Sequence, residues 1–401
     1  MSRPRVIFWD NIPSPYGVEQ YNLLVDRGHA EISVWFNRRT DAERSWVVEE
    51  SGWRFPGVYI DDPSSSLAAA ALFAERCRIE QPDLVISPYG ERSFLAGHVV
   101  LKAIGVRHVL HFVPTFDAWT RRTWWKDATK RILFDSADAI YVPGADGTAS
   151  ARRHGVSADR IYAVRLTTNI QQYARRLSAD GRRAQRDRLG VGGCVFLYVG
   201  RLWKPKGLLD LIAAFRQART QANAISLILV GDGSDEWEIR AAAAGTEAIR
   251  FVPFVQAPDL YAYYGAADVF VFPTLGDPHG QVIEEAHAAG LPIIASDAIG
   301  DVRTRVEDGL NGFVVPAGDV DALAARMLQL AAEPVLRAAM GSHGAARVEG
   351  WGHDAFADGM EQVIDACMLR RIRATRAARM FSSVGRVALY AAGMPGLGAV
   401  Q

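Results

Sequence analysis

Short runs of β-branched and aromatic residues alternate along the chain with alanine-rich stretches of helical spacing. In the first half, Val6 to Trp9, Ile32 to Phe36, Leu84 to Ser87, His108 to Phe112 and Ala139 to Val142 read as strands. Gln20 to Arg27, Ser66 to Ile79, Phe94 to Ile104 and Thr123 to Asp135 carry the spacing of helices. This alternation predicts a parallel sheet covered on both faces. Leu177 to Leu189 is rich in Arg and poor in apolar residues, and reads as a connection carrying a short exposed helix. A second series of apolar runs follows: Cys194 to Val199, Ser226 to Val230, Ile249 to Val252, Val269 to Phe272, Pro292 to Ala295 and Gly312 to Val315. Helices are expected from near Lys206, Asp235, Pro258, Gln281 and Asp319. The expected class is α/β, with two doubly wound parallel-sheet domains at 1–170 and 191–352. A linker at 171–190 joins them, and 353–401 supplies a C-terminal crossing helix and tail. Open sheets of this kind bind ligands beyond the C-terminal ends of their strands, so chemistry is expected in those loops.

Composition narrows the classes of function. A length of 401 residues fits two or three domains. The 45 basic and 45 acidic side chains leave no global field for nonspecific nucleic-acid binding, so nucleic acid is not an expected partner. Cys77, Cys194 and Cys367 are odd in number and far apart, which indicates neither a disulfide framework nor a zinc site. The apolar run after Arg3 and Arg5 ends at Asp10, too short for an export signal, and no stretch reaches the roughly 18 residues that span a bilayer. A cytoplasmic protein is expected, with the inner face of the plasma membrane as its furthest reach.

Two loops carry the sharpest chemistry. After Val195 to Val199 come Gly200, Arg201, Leu202, Trp203, Lys204, Pro205, Lys206 and Gly207. Glycine permits close backbone approach, Arg201 offers a planar fork for phosphate oxygens, and Lys206 adds a point charge where a helix begins. That pattern suits a diphosphate, although a solvated basic loop has the same spacing. After Val269 to Phe272, Asp277 and Glu285 stand eight positions apart, with His279, Gly280 and Gln281 between them at a helix start. Carboxylates beside a phosphate site suit sugar hydroxyls, Glu285 taking a ribose and Asp277 a transferred hexose. The alternative is a turn residue and a helix-start charge.

Together these loops resemble the retaining nucleotide-sugar glycosyltransferases of family 4, which have the GT-B architecture of two facing Rossmann-like domains. Val199-Gly200-Arg201-Leu202 with Lys206-Gly207 is similar to that family's diphosphate loop, and Asp277 to Glu285 to its acidic donor motif. Ala289-Gly290-Leu291-Pro292, Asp308 to Phe313 and Gly318-Asp319 with Leu323-Ala324 continue the likeness across the second half. The resemblance implies that Arg201 and Lys206 neutralise the donor diphosphate and that Glu285 holds the ribose. It also implies that His279, Gly280 and Gln281 present backbone amides to sugar and phosphate. The family more often has Glu where this chain has Asp277, which bears on donor preference. Pro253 and Phe254 are candidates for the base-binding loop. In the weaker N-terminal likeness, Asn11 to Val18 matches the loop over the donor, with Gly17 as a donor-side backbone candidate and Tyr16 on the acceptor side. His111 at a strand end matches a histidine contacting the transferred sugar, or is a satisfied structural histidine. Tyr89, Gly90 and Glu91 border the expected cleft, Glu91 on the acceptor side or as a helix-start charge.

The implied substrates are a UDP-, GDP- or similar nucleotide-sugar donor and a glycan or lipid-linked acceptor, with transfer by retention in cell-surface polysaccharide or glycoconjugate synthesis. No cofactor is expected, and no metal. Asp319-Val320-Asp321 has a metal-motif spacing, but Asp319 is expected to cap a helix. Gly231-Asp232-Gly233 is only a fragment of a dinucleotide fingerprint, and His287 is expected to pack. Trp119, Arg121, Arg122, Trp124, Trp125, Lys126, Lys130 and Arg131 crowd cations and indoles together. The tail from Leu369 adds Arg370, Arg371, Arg373, Arg376, Arg379 and Arg386 without an acidic residue, so a peripheral membrane contact is expected. A packed tail helix with solvated arginines is the alternative. Two further readings are an epimerase-like nucleotide-sugar enzyme and an inactive GT-B binding subunit.

Overall fold

The computed structural model describes residues 2–41, 44–60, 66–90, 92–113, 124–371, 375–391 and 394. Two parallel sheets organise it. The first contains β1 (Arg5–Asp10), β2 (Glu31–Phe36), β3 (Gly57–Tyr59), β4 (Leu84–Pro88), β5 (Arg107–His111), β6 (Ala139–Val142) and β7 (Ile161–Ala163), in the order 3-2-1-4-5-6-7. The second contains β8 (Cys194–Val199), β9 (Ile225–Val230), β10 (Ile249–Val252), β11 (Val269–Phe272), β12 (Ile293–Ser296) and β13 (Gly312–Val315), in the order 10-9-8-11-12-13. The ladders run parallel, as in β8 on β9 from Cys194 opposite Ile225 to Val199 opposite Val230. Strand order reverses between β1 and β4 and between β8 and β11, and each reversal opens a crevice at the C-terminal strand ends.

The expected strands are present with small shifts at their ends. Two further strands, β3 and β7, have no expectation behind them. Each is three residues long, lies at a sheet edge and is only partly buried, so neither makes an apolar run. The helix Ala145–Arg153 was equally silent, because it buries only Gly147, Ser150 and Ala151.

Burial explains the central strands. Val195, Phe196, Leu197 and Tyr198 are all fully buried, and each large apolar side chain so placed contributes about 1.5–3 kcal/mol. The connection forms the expected exposed helix, Ala179–Leu189, with no buried residue. Charges fasten it instead: Arg182 and Arg186 reach Asp268 at 2.6 and 2.7 Å, and Asp268 also accepts from the Val195 N–H at 2.8 Å. The helix His353–Leu369 crosses back to the first domain. There Phe356, Met360, Val363 and Ile364 pack with Val6, Phe8 and Leu84, while Arg27 holds Asp354 and Asp358. All three cysteines are buried and unlinked, and burial pushes the Cys194 and Cys367 thiols up to about 12. Among the described residues no helix is long and apolar enough to cross a membrane.

Candidate functional site

The C-terminal edges of the two sheets face each other across a cavity of about 680 Å³. Tyr16 enters from the first turn of the helix Pro15–Arg27 that follows β1, Arg201 and Lys206 from the loop after β8, and Asp277 to Gln281 from the loop after β11, with Glu285 behind them. Glycines let these loops stack. Gly231 has φ 140°, and a Cβ there would stand 2.0 Å from the Gly200 carbonyl oxygen. Gly207 has φ 72°, and its Cβ would stand 2.0 Å from the Pro273 carbonyl oxygen. Both positions combine a left-handed backbone with backbone-to-backbone contact, so only glycine fits without strain. Gly231 and Asp232, dismissed as part of a fingerprint fragment, therefore line the cavity.

The two motif loops meet through their charges. Lys206 Nζ donates to Asp277 Oδ2 at 2.5 Å, and both side chains are largely buried. The His279 N–H donates to Asp277 Oδ1 at 2.9 Å. This corrects the expectation for His279: its amide closes a turn on Asp277 instead of facing a ligand. What His279 brings to the cavity is its imidazole, buried with neither ring nitrogen in a hydrogen bond. Burial holds it well below the usual histidine range, with Arg305 adding to the effect, so the ring is neutral. The Gln281 side-chain amide donates to the Thr167 carbonyl at 2.9 Å and ties the loop to the segment after β7. Gly280 and Gln281 line the cavity just before the helix Val282–Ala288. Arg201 lies with its guanidinium 4.6 Å from the Trp203 ring.

Glu285 is gripped from two sides. Tyr264 Oη donates to Oε2 at 2.7 Å, and Thr168 Oγ1 donates to Oε1 at 3.4 Å. Burial raises its carboxyl to about 7, against the lowering effect of the Tyr264 hydrogen bond. Next to it, Glu284 turns inward and meets Arg305 at 3.0 Å, both nearly fully buried. Arg305 also donates to the carbonyls of His279, Gly280 and Gly300, so it is the post that fixes the loop after β11. The motif spacing marks Asp277 and Glu285, but it gives no sign of Arg305, Tyr264 or Thr168.

The first domain supplies the opposite wall. Tyr16 lines the cavity with Arg44, Ser45 and Trp46, and packs edge-on to Trp46 at 6.1 Å. The 44–47 segment crosses to the second domain, where Ser45 Oγ donates to Asp232 Oδ2 at 2.5 Å and the Val47 N–H donates to Gln256 at 3.4 Å. Gly17 differs from its expected role: its N–H donates to Ser14 Oγ at 3.2 Å in a helix cap, and the residue is buried outside the cavity lining. His111 ends β5 and stacks on Tyr141 at 4.1 Å with Nε2 buried and unpartnered, and it is not among the residues that line the cavity, which departs from the expected contact with the transferred sugar. Burial takes it down to about 3, so the ring is neutral. Asp10, at the end of β1, accepts from Tyr21 and is raised by burial to about 6. Nothing in its sequence context marked it.

Several secondary candidates resolve. Phe254 lines the cavity and Pro253 does not. Tyr89 packs on Phe112 and Phe134 instead of bordering the cleft. Asp319 caps its helix by accepting from the Ala322 N–H at 2.9 Å, and His287 is buried. Glu91, like Trp119, Arg121, Arg122 and Arg373, lies outside the described residues.

Comparison with known proteins agrees with this geometry. The sequence pattern of the family described as "Glycosyl transferases group 1" matches residues 193–333. The D-inositol 3-phosphate glycosyltransferase of Streptomyces scabiei is 30% identical over 248 residues, covering 58% of this chain and 55% of that protein. In that alignment the chain spans about half the relative's length. The protein of the same name from Kineococcus radiotolerans is 30% identical over 399 residues, covering 87% of this chain and 88% of that one. Among solved structures, Anabaena HepE in complex with UDP and glucose superposes with a TM-score of 0.74 at 19% identity, over 90% of this chain and 100% of that one. With two parallel sheets, the motif loops at their facing edges and an alignment over most of its length, the chain belongs to the group 1 glycosyl transferases and has the GT-B architecture.

Proposed function

We propose that the protein transfers a sugar from a nucleoside-diphosphate sugar to a hydroxyl of a glycan or lipid-linked acceptor, with retention of anomeric configuration. The observation that carries the reading is the convergence of Arg201, Lys206, Asp277 and Glu285 on one interdomain cavity. The donor base lies toward Phe254 to Gln256, its ribose on Glu285 and its diphosphate between Arg201, Lys206 and the chain edge at Gly280. The sugar then meets Asp277 and His279. Lys206 has three donors, so it can keep Asp277 while taking a phosphate oxygen.

As the bond from the anomeric carbon to phosphate breaks, its electron pair passes to the diphosphate oxygen. The acceptor oxygen bonds to that carbon on the same face, and its proton goes to the departing phosphate oxygen, so no protein base is required. Arg201 and Lys206 are placed in advance where the negative charge develops, and each such group is worth about 10²–10³ in rate. Neutral His279 offers hydrogen bonds to sugar hydroxyls without adding charge. The proposal assigns charge neutralisation to these side chains and not to a metal, and predicts that a chelator leaves turnover unchanged. A nucleotide-sugar donor and three buried, unlinked cysteines support action in the cytoplasm. The names of the relatives, which act on inositol 3-phosphate, support a polyol or glycoconjugate acceptor.

The test is a panel of UDP-, GDP- and ADP-sugars, followed by release of nucleoside diphosphate and by the anomeric proton signal of the sugar product. Release from one donor with its configuration kept is expected. Inversion contradicts retention, isomerisation without release makes the protein an epimerase, and inactivity on every donor and acceptor tried reduces it to a binding subunit.

A further inference from the structure

The helix Arg376–Ala391 lies on the outer side of the first domain, against the helices Arg92–Ile104 and Trp124–Ser136. Its inner stripe is Ala378, Phe381, Gly385 and Leu389. Gly385 permits the contact, since a Cβ there would stand 2.5 Å from the Val99 carbonyl oxygen, and Phe381 meets His98 edge-on at 5.2 Å. Among the larger apolar side chains of the helix, the packed side holds only Phe381 and Leu389. The others face outward: Met380, Val384, Val387 and Tyr390 are exposed, the last two by 70% and 74%. On the adjoining helix, Trp124 is 83% exposed, with Trp125 and Ile132 also open.

The charged side chains of the helix Arg376–Ala391 have one sign, while the neighbouring helix Trp124–Ser136 carries Asp127 and Asp135 beside its cations. Arg376, Arg379 and Arg386 are exposed along the first helix, and Lys126 and Arg131 are exposed on its neighbour. No Asp or Glu follows Asp365, and no charged residue of either sign follows Arg386. On the helix wheel, Arg379 and Arg386 share one edge of the outward face with Tyr390, while Met380, Val384 and Val387 occupy the other. A helix lying in a lipid interface has this arrangement, with cations reaching phosphates, aromatic rings at headgroup depth and aliphatic side chains just below.

We propose that this face docks the first domain onto an anionic phospholipid bilayer. A second copy of the chain is a poorer occupant, because a two-fold contact through the face would set arginines against arginines with no acidic residue of the helix to offset them. The surface is separate from the cavity and does not depend on the donor assignments.

The experiment is co-sedimentation of the full chain with sucrose-loaded vesicles, of phosphatidylcholine alone or mixed with phosphatidylglycerol. Protein is expected to pellet with the anionic vesicles, to stay in solution with the neutral ones, and to be released by about 1 M salt. Removal of residues 370–401 would strip a packed helix from the domain, so point variants on the exposed face decide the matter. Arg376→Gln/Arg379→Gln/Arg386→Gln and Val384→Ser/Val387→Ser should each lower partitioning by about tenfold or more while unfolding temperature and release of nucleoside diphosphate stay at the wild-type value. Equal recovery in the supernatant with and without anionic vesicles overturns the proposal, as does undiminished pelleting of both variants. A dimer in light scattering that Val384→Ser/Val387→Ser dissolves, with no vesicle binding, gives the face to a second copy and overturns it too.

Discussion

Asp277 joins the two halves of the donor site, accepting from Lys206 on one oxygen and from the His279 amide on the other. Its short side chain suits that turn, since an Asx carboxylate reaches the amide two residues on and a Glu in its place would extend past it. Asp277→Asn should keep the turn acceptor while releasing Lys206 from its counter-charge. Nucleoside diphosphate affinity, read by calorimetry, should hold or rise as turnover falls by about 10²-fold. Glu285 makes a pH prediction. Its carboxyl is raised from 4.5 to about 7 by burial, so it favours the fold fully below its ordinary value and loses that contribution as pH rises through about 7. Nucleotide binding runs the other way, because the ionised carboxylate is the better acceptor for ribose hydroxyls. Affinity for the parent nucleoside, which has no phosphate to titrate in this range, should rise about five- to tenfold from about pH 5.5 to about pH 8 in the wild type and stay flat in Glu285→Gln. A flat wild-type profile removes Glu285 from the ribose. At this scale the sequence marked the residues with a spacing, Arg201, Lys206, Asp277 and Glu285. It could not mark Tyr264, Thr168 or Arg305, which reach the site from separate elements and are recognisable only once the fold brings them together.

At the scale of elements, the site depends on how closely three loops stack. Gly207→Ala would force a Cβ against the Pro273 carbonyl in a left-handed backbone, and should cost about 2 kcal/mol or more in denaturant unfolding. Arg305→Met leaves Glu284 buried without its counter-charge, at a cost of about 3–5 kcal/mol. Arg305→Met/Glu284→Gln should recover much of that stability but not donor affinity, because the carbonyls of His279 and Gly280 still lose their donor. If the double variant binds nucleotide as the wild type does, Arg305 is not the post of the loop. Central strands were legible because burial on both faces makes them continuous apolar runs. The edge strands β3 and β7 were not, because half-exposed strands of three residues leave no such run.

At the scale of the molecule, the two-domain plan was legible from the repeated alternation of strands and helices, and a crossing helix was expected within 353–401. The fastening between domains was not. Thr167 accepts from Gln20 and Gln281 through its carbonyl, and its hydroxyl lies 3.0 Å from His353, which in turn meets Glu19 at 2.9 Å. Five polar residues from four segments build that joint, and none has a partner visible along the chain. The 44–47 segment adds a second bridge at the far side of the cavity. The central claim is that the cavity between the domains grips a diphosphate through Arg201 and Lys206. Calorimetric titration of the wild type and of Arg201→Ala/Lys206→Ala with nucleoside diphosphates and their parent nucleosides tests it most directly. One nucleoside diphosphate should bind the wild type at least about tenfold more tightly than its nucleoside, and the double variant should lose that margin while binding the nucleoside unchanged. Equal diphosphate affinity in the wild type and the double variant would contradict the account.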